Sequence, residues 1–359
     1  MKQLFFLGST SASGFSSKFI NLIKKDGYYT YILKGGPGTG KSTLIKKICK
    51  EFDDEDMEVY HCSSDVNSLD AVILNNRRII VVDGTSPHVF EAEFPGVYQE
   101  IVNLGMFWNK PLLLENGSQI CSLFKENSRY HLLARRYIQA SSSLNSNILS
   151  ITSSALLKEK EDKFTDNFIN KNFVTGNCTG NPYEFRQLSA FTSSGYTTLP
   201  VSDEYKTIIL KDDNMAGANR FLKKLASAAA ERKYNVIISM CSAVNEEVYE
   251  HLLIPQLRIA FISSNFINKI KPDNQTVINF DKFYDKKKIS EKKVFISFNK
   301  KVIEKINTEV ASTIDIALTV HNDLEKYYIN SLDTKKLNSF SENFINEIKN
   351  KIEQKANII

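Results

Sequence analysis

The chain contains two copies of one sequence pattern. Residues 30–34 (TYILK) are matched by residues 207–211 (TIILK), and residues 78–82 (RIIVV) are matched by residues 258–262 (RIAFI). Between these segments both copies have a turn, an amphipathic stretch and a second apolar run. Because a repeat of this length is one folding unit copied along the chain, the sequence predicts two modules of the same architecture.

Each copy has the pattern of an α/β module. The short apolar runs Tyr31 to Leu33 and Ile79 to Val82 do not alternate, which is typical of strands buried on both faces. Between them, apolar residues recur on one face of a helix, at 44, 45, 48, 49 and 52, and again at 221, 222, 225, 226 and 229. Alternating strands and helices favour mainly parallel sheets flanked by helices.

The length of 359 residues favours two domains. We predict a first domain over 1–157, in which a helical tract at 98–143 extends the core, and a second domain over 185–359 that ends in helices at about 302–358. The segment 158–184 is rich in Asn, Gly and Lys, so we predict that it is the interdomain connection.

The first copy carries a phosphate-binding motif between its strand and its helix. Gly35-Gly36-Pro37-Gly38-Thr39-Gly40-Lys41-Ser42 fits the P-loop pattern G-x-x-x-x-G-K-[ST]. Glycines let the backbone N–H groups turn inward around an anion, and the N-terminus of the following helix adds its positive dipole end. The motif therefore predicts a nucleoside triphosphate site, with Thr43 continuing it into the helix.

A P-loop needs groups that hold magnesium. Lys41 is expected to pair with the β- and γ-phosphates, and the Ser42 hydroxyl is placed to ligate Mg²⁺. The second ligand is expected from an acid at the end of a buried strand, and Asp83, directly after Ile79 to Val82, has that position. The alternative for Asp83 is an ordinary turn residue.

A third acid lies in the loop after the second strand. Asp65 is a candidate base that would orient an attacking water or a substrate hydroxyl. The sequence supports equally well that Asp65 caps a helix over Val66 to Val72, a frequent use of Asp. We expect His61 and His88 to be ordinary hydrogen-bonding residues.

The second copy has lost this chemistry. In alignment with the first copy, Asp212 and Asp213 replace the first two glycines, Ala218 replaces the lysine and Asn219 replaces the serine. Two carboxylates repel a triphosphate, so we predict a degenerate second module that does not bind one in the usual way.

Composition adds few constraints. The formal charge of +5 suits phosphate-bearing ligands as well as nucleic acid, for which no recognition motif is present. Five cysteines without a C-x-x-C pair argue against a disulfide framework and a zinc site, and we expect a cytoplasmic protein. No segment has the length of apolar sequence that a membrane helix needs, so no membrane association is expected.

Together, the loop 31–42, His61-Cys62-Ser63-Ser64-Asp65 and residues 83–88 (DGTSPH) resemble an uncharacterised bacterial family of tandem P-loop proteins classed as ATPases. The resemblance spans nearly the whole chain. It implies a P-loop NTPase fold and ATP, rather than GTP, as the nucleotide. Members of that family often carry a P-loop in both halves, so residues 212–219 are a departure from it.

Three functions are compatible with these features. The first is a Mg²⁺-dependent ATPase coupled to an unidentified protein or small-molecule partner, with the second module structural or regulatory. The second is a small-molecule or nucleoside kinase, which would use Asp65 as substrate base and a lid bearing Arg129, Arg135 or Arg136. The third is a nucleotide-binding regulatory module with little turnover.

Overall fold

The computed structural model describes residues 1–17, 19, 23, 27–86, 89–178 and 180–356. Within these residues the protein is α/β and folds as two compact units. The first unit consists of residues 1–7, 17–132 and 313–359, and the second consists of residues 8–16 and 133–312. Each unit is built on one six-stranded sheet.

The strands in chain order are β1 (Lys2–Phe6), β2 (Ser9–Ser11), β3 (Gly14–Ser16), β4 (Tyr29–Lys34), β5 (Met57–His61), β6 (Leu69–Leu74), β7 (Ile79–Asp83), β8 (Gln99–Asn103), β9 (Tyr183–Phe185), β10 (Ser189–Thr192), β11 (Gly195–Thr198), β12 (Lys206–Lys211), β13 (Val236–Cys241), β14 (Asn245–Ile254), β15 (Ile259–Ser264) and β16 (Thr276–Asn279). The helices are α1 (Lys41–Glu51), α2 (Lys110–Glu115), α3 (Gly117–Ser154), α4 (Lys158–Asn172), α5 (Ala216–Glu231), α6 (Lys286–Glu291), α7 (Lys293–Asn330) and α8 (Thr334–Ala356). Short 3-10 turns occupy Leu104–Phe107, Pro255–Leu257 and Phe280–Phe283.

The two large sheets have the same topology. In the first unit the strand order is β1-β5-β6-β7-β4-β8, and in the second it is β9-β13-β14-β15-β12-β16. Each strand of one sheet has its repeat counterpart at the same place in the other. The helices match in the same way, so the duplication extends from the first strand to the last helix.

Both sheets are mixed. In the first, β4 lies parallel to β7 and β8, whereas β6 is antiparallel to both β5 and β7. Strand β1 is parallel to β5, so three of the five pairings in this sheet are parallel, as predicted, and the two pairings of β6 depart from the prediction. The helix over 66–72, which was one of the two alternatives for Asp65, is replaced from Leu69 by β6. The physical reason is the length of the connections, since only antiparallel neighbours can be joined by a tight turn such as the one at Asn75–Arg78.

The strands and helices nearest the predicted P-loop are confirmed. Strands β4 and β7 are buried over nearly their full length. Helix α1 buries Leu44, Ile45 and Ile48, which lie on its predicted apolar face. These residues pack against the sheet, because a helix with one apolar stripe is stabilised by covering an apolar surface.

The last helices of each repeat pack on the sheet of the other repeat. The core of the first unit contains Leu337, Phe344 and Ile348 from α8, which belongs to the second repeat. The core of the second unit contains Ile169 from α4 and Phe173 directly after it, and α4 belongs to the first repeat. The long helices α3 and α7 contribute residues to both units.

This exchange alters the predicted domains. The structure does not divide at 1–157, 158–184 and 185–359, because residues 158–172 form α4 and are part of the second unit. The polar surface of α4 led to its prediction as a connection, but Glu161, Thr165 and Ile169 are buried. The helical tract predicted from residue 98 also begins with a strand, β8, at the edge of the sheet.

Among the described residues, no helix combines the length and apolar character that crossing a lipid bilayer would require.

Candidate functional site

The glycine-rich loop, residues 35–42, joins the carboxyl end of β4 to the N-terminus of α1. Gly38 and Gly40 have φ angles of 67° and 82°, and Gly40 is the residue that precedes the helix. Such left-handed conformations favour glycine. They turn the chain sharply, so that it enters α1 with Lys41 as the first helical residue.

Lys41 is the centre of the contacts around this loop. Its Nζ donates hydrogen bonds of 2.8 Å to the carbonyl oxygens of Gly35 and Gly36. The same Nζ lies 3.6 Å from Oδ2 of Asp83, and both side chains are largely buried. The structure therefore brings together the predicted lysine and the predicted strand-end acid, which are 42 positions apart in the printed sequence.

Ser42 and Thr39 have different roles. The Ser42 Oγ accepts a hydrogen bond of 2.9 Å from the backbone N–H of Leu69, the first residue of β6. The Thr39 hydroxyl donates to the carbonyl of Gly36 at 2.7 Å and so ties the loop together. Thr43, which was predicted to extend the site, is exposed on α1.

Asp83 ends β7, the strand next to β4. Its Oδ1 accepts hydrogen bonds from the backbone N–H of Thr85 at 2.9 Å and from the Thr85 hydroxyl at 2.6 Å. One carboxylate oxygen thus orders the following turn, while the other faces Lys41. Asp83 is therefore a turn residue through Oδ1, and its role as a magnesium ligand stays a prediction. His88 lies outside the described residues.

Asp65 is engaged in its own turn. Its Oδ1 accepts from the backbone N–H of Asn67 at 3.0 Å, and its Oδ2 accepts from the Ser68 hydroxyl at 2.5 Å. Asp65 therefore shapes the connection between β5 and β6. The arginines proposed for a kinase lid are divided, because Arg129 belongs to the first unit whereas Arg135 and Arg136 belong to the second.

Asp70 is a further acid near Lys41 and Asp83 that was not among the predicted site residues. In the pairing of β6 with β7, Ala71 lies opposite Val82, so Asp70 is next to Asp83 at the carboxyl end of β7. Val72, on the same face of β6 as Asp70, belongs to the core that α1 covers. Asp70 is 8% exposed. The signal was an acid within the otherwise apolar run of residues 69–74 (LDAVIL).

A carboxylate from α7, also not predicted, contacts the glycine-rich loop. The backbone N–H of Gly38 donates a hydrogen bond of 3.0 Å to Oε1 of Glu325. The Nε2 atom of His321 lies 3.4 Å from the same oxygen. The hydrogen bond with His321 is the main cause that lowers the pKa of Glu325, and Gly38 and Lys41 lower it further. Nothing in the local sequence predicts this contact, since 287 positions separate the two residues.

In the second unit a carboxylate lies at the N-terminus of α5, the helix that corresponds to α1. Asp212 is buried, and its Oδ2 accepts from the backbone N–H of Ala218, in the first turn of α5, at 2.9 Å. The Tyr284 hydroxyl also donates to Asp212 and accepts from the N–H of Gly217 at 2.7 Å. Burial raises the pKa of Asp212 to about 6. The donors of this helix N-terminus are satisfied by the chain itself.

No family model, no curated protein and no solved structure matches this chain. The functional assignment therefore depends on the chemistry of the residues just described.

Proposed function

We propose that the first unit binds Mg²⁺-ATP at residues 35–43 and hydrolyses it. The observation that carries the proposal is the position of the Lys41 ammonium, which lies against the glycine-rich loop and within 3.6 Å of the Asp83 carboxylate. Enzymes of phosphoryl transfer use this arrangement, in which a lysine at a helix N-terminus lies beside a glycine-rich loop and an acid at the end of a strand.

Each residue has a defined part in this proposal. The N–H groups of Gly36 and of residues 38–42 cradle the phosphates, and Lys41 leaves the loop carbonyls to pair with the β- and γ-phosphates. Magnesium takes few ligands from proteins and completes its shell with water and phosphate oxygens. The hydroxyl of Ser42 and the carboxylate of Asp83 fit this requirement as the protein ligands. The ion would neutralise charge that develops on the phosphates.

A metal site of protein side chains alone is not expected here. Among the residues that the structure describes, no group of three or more His, Cys, Asp and Glu side chains is arranged to hold a metal ion. A P-loop site does not need one, because the triphosphate itself supplies ligands. We propose Asp70 as a second acid that acts on the magnesium shell through water, and we retain Asp65 as the candidate base.

The second module is proposed to be structural or regulatory. Its equivalent loop already carries a buried anion, Asp212, at the N-terminus of α5. A triphosphate would have to displace a carboxylate that is hydrogen-bonded by Ala218 and Tyr284. One nucleotide per chain is therefore expected. The proposal also includes ATP as the nucleotide, a cytoplasmic location and a protein or small-molecule partner.

Phosphorus NMR of the protein with Mg²⁺-ATP tests the function directly, with and without a small-molecule cell extract. Free phosphate that disappears in Lys41→Ala supports the ATPase, whereas a new phosphoester that appears only with extract indicates a kinase. Lys46→Ala, an exposed lysine on the same helix, is the matched control and should retain full turnover. Bound ATP without turnover would indicate a regulatory module, and no binding would contradict the proposal.

A further inference from the structure

Helix α7 approaches the glycine-rich loop closely, and two glycines make this approach possible. A Cβ atom on Gly36 would lie 2.9 Å from Cε1 of Tyr328, and one on Gly38 would lie 2.9 Å from the carbonyl oxygen of Glu325. The P-loop pattern requires glycine only at the positions of Gly35 and Gly40. Contact with the helix is thus a reason for glycine at Gly36, and at Gly38 it adds to the left-handed backbone conformation.

The contact is electrostatic as well as steric. Glu325 accepts the N–H of Gly38, one of the loop donors that would otherwise face a phosphate oxygen. Its pKa is lowered by its neighbours, so the carboxylate is anionic when the triphosphate arrives. Two anions do not share one set of donors without repulsion. Phosphate binding at Gly38 therefore requires Glu325 to leave.

Tyr328 extends the contact between α7 and the loop. Its ring lies over Gly36, and its centroid is 5.4 Å from that of Trp108. On the next helix, Leu337 approaches Gly40, where an added Cβ would lie 3.0 Å from Cδ2. Leu337 is buried in the core of the first unit, so this part of the loop packs against that core.

We propose that residues 325–328 of α7 form an autoinhibitory cover that competes with the triphosphate for the glycine-rich loop. This inference rests on the proposed nucleotide site and adds its regulation. Because α7 is the counterpart of α3, the cover comes from the second repeat. The degenerate copy thereby controls access to the intact one, and a partner that draws α7 away from the loop would activate the site.

The expected effect follows from population arithmetic. The apparent affinity of a ligand falls in proportion to the fraction of molecules whose site is open. If the cover is closed in about nine molecules of ten, removing it strengthens triphosphate binding about tenfold. The protein's own nucleotide affinity is then lower than that of the open site.

The test compares the full-length protein with Glu325→Ala and with Asp323→Ala, which removes a more exposed carboxylate from the same helix. Calorimetry with magnesium tripolyphosphate measures the affinity without a nucleobase. Trp108 is the single tryptophan of the chain and lies beside Tyr328, so its fluorescence reports displacement of the cover. We expect tighter binding for Glu325→Ala by about tenfold, no change for Asp323→Ala, and a ligand-dependent fluorescence change in the unmodified protein.

A second variant, Tyr328→Ala, removes the ring from Gly36 and should also strengthen binding. Equal affinities in the unmodified protein, Glu325→Ala and Tyr328→Ala would overturn the cover while leaving the nucleotide site intact. Slower hydrolysis with unchanged affinity in Glu325→Ala would also overturn it, because Glu325 would then act in the reaction. If neither tripolyphosphate nor Mg²⁺-ATP binds any of these proteins, both the cover and the proposed function fail.

Discussion

The hydroxyl of Tyr284 lies 2.9 Å from Oδ2 of Asp212 and joins the turn before α6 to the loop that precedes α5. The same hydroxyl accepts the backbone N–H of Gly217. In the first unit, Trp108 is at the position equivalent to Tyr284, and Gly35 is at the position equivalent to Asp212. In the second unit the chain thus satisfies the N-terminus of α5 with its own Asp212 and Tyr284.

This relationship predicts a single nucleotide site in each chain. Calorimetric titration with Mg²⁺-ATP should give a stoichiometry near one, and Lys41→Ala should abolish all binding, because Asp212 blocks the second loop. Asp212→Ala should not create a second site, since Ala218 supplies no cation to replace the missing lysine. Two sites in the unmodified protein would contradict the degenerate character of the second module.

Asp212→Ala should instead destabilise the second unit. It leaves the N–H of Ala218 and the hydroxyl of Tyr284 buried without their acceptor, and an unsatisfied buried donor costs about 1–3 kcal/mol. Urea unfolding followed by circular dichroism measures this loss. Asp213→Ala, at the neighbouring exposed position, is the control and should change the free energy of unfolding by less than about 0.5 kcal/mol.

Asp83→Asn and Asp70→Asn test the two acids at the carboxyl end of β7. Both should weaken ATP binding about tenfold or more in the presence of Mg²⁺ and have little effect in its absence, because the carboxylates act on the metal rather than on the phosphates. Titrations with and without the ion separate the two effects. Asp54→Asn, in the exposed turn after α1, should bind as the unmodified protein does. An unchanged metal dependence in Asp70→Asn would remove that residue from the site.

Phe344→Ala tests the packing of α8 on the first unit. Its ring is 3% exposed and meets the ring of Tyr31 at 4.8 Å between centroids. Removing a buried aromatic side chain costs about 3–5 kcal/mol. Thermal unfolding should therefore show a large loss for the first unit. A loss below about 1 kcal/mol would show that α8 is not part of that core.

The burial of Glu250 leads us to predict that the free energy of unfolding depends on pH. It is buried in the second unit, accepts the Tyr196 hydroxyl at 2.8 Å, and burial raises its pKa to about 7. Between the ordinary carboxyl range and pH 7, the unfolded chain releases this proton while the folded chain keeps it. The unfolded state therefore binds fewer protons, and stability falls as the pH rises through this window.

Glu250→Gln keeps an uncharged side chain at every pH and should lose this dependence. We compare urea unfolding at about pH 5 and about pH 8. Between these two pH values, the free energy of unfolding of the unmodified protein should fall by on the order of 1–3 kcal/mol more than that of the variant. The pKa of His251 is lowered by burial to about 3, so its contribution has the opposite sign, and it is present in both proteins. Equal pH slopes for the two proteins would contradict the buried, protonated state of Glu250.

The sequence predicted the parts of the fold that depend on local pattern. The strand before the glycine-rich loop, the helix after it and the strand that ends at Asp83 are visible as apolar runs of the right length. It did not predict β6, because an apolar run without alternation suits either a strand or a buried helix. The buried acid Asp70 within that run was the feature that went unused.

The exchange of helices was not predictable, because it is decided by packing between residues far apart. Helix α4 has a polar composition, yet Glu161 is buried and pairs with Arg220 at 2.9 Å. Glu325 likewise has nothing in its own helix that indicates a contact with Gly38. Periodicity shows which face of a helix is apolar, but it does not show which sheet that face covers.

The exchange of helices also determines when the core of the first unit can form during translation. Translation delivers β4 and the glycine-rich loop early, but the core of the first unit includes Phe344 and Ile348, near the end of the chain. Domains generally fold as their sequence emerges, starting from the N-terminus. The core of the first unit is instead complete only after Phe344 and Ile348 have been synthesised, and its loop emerges long before Glu325 does.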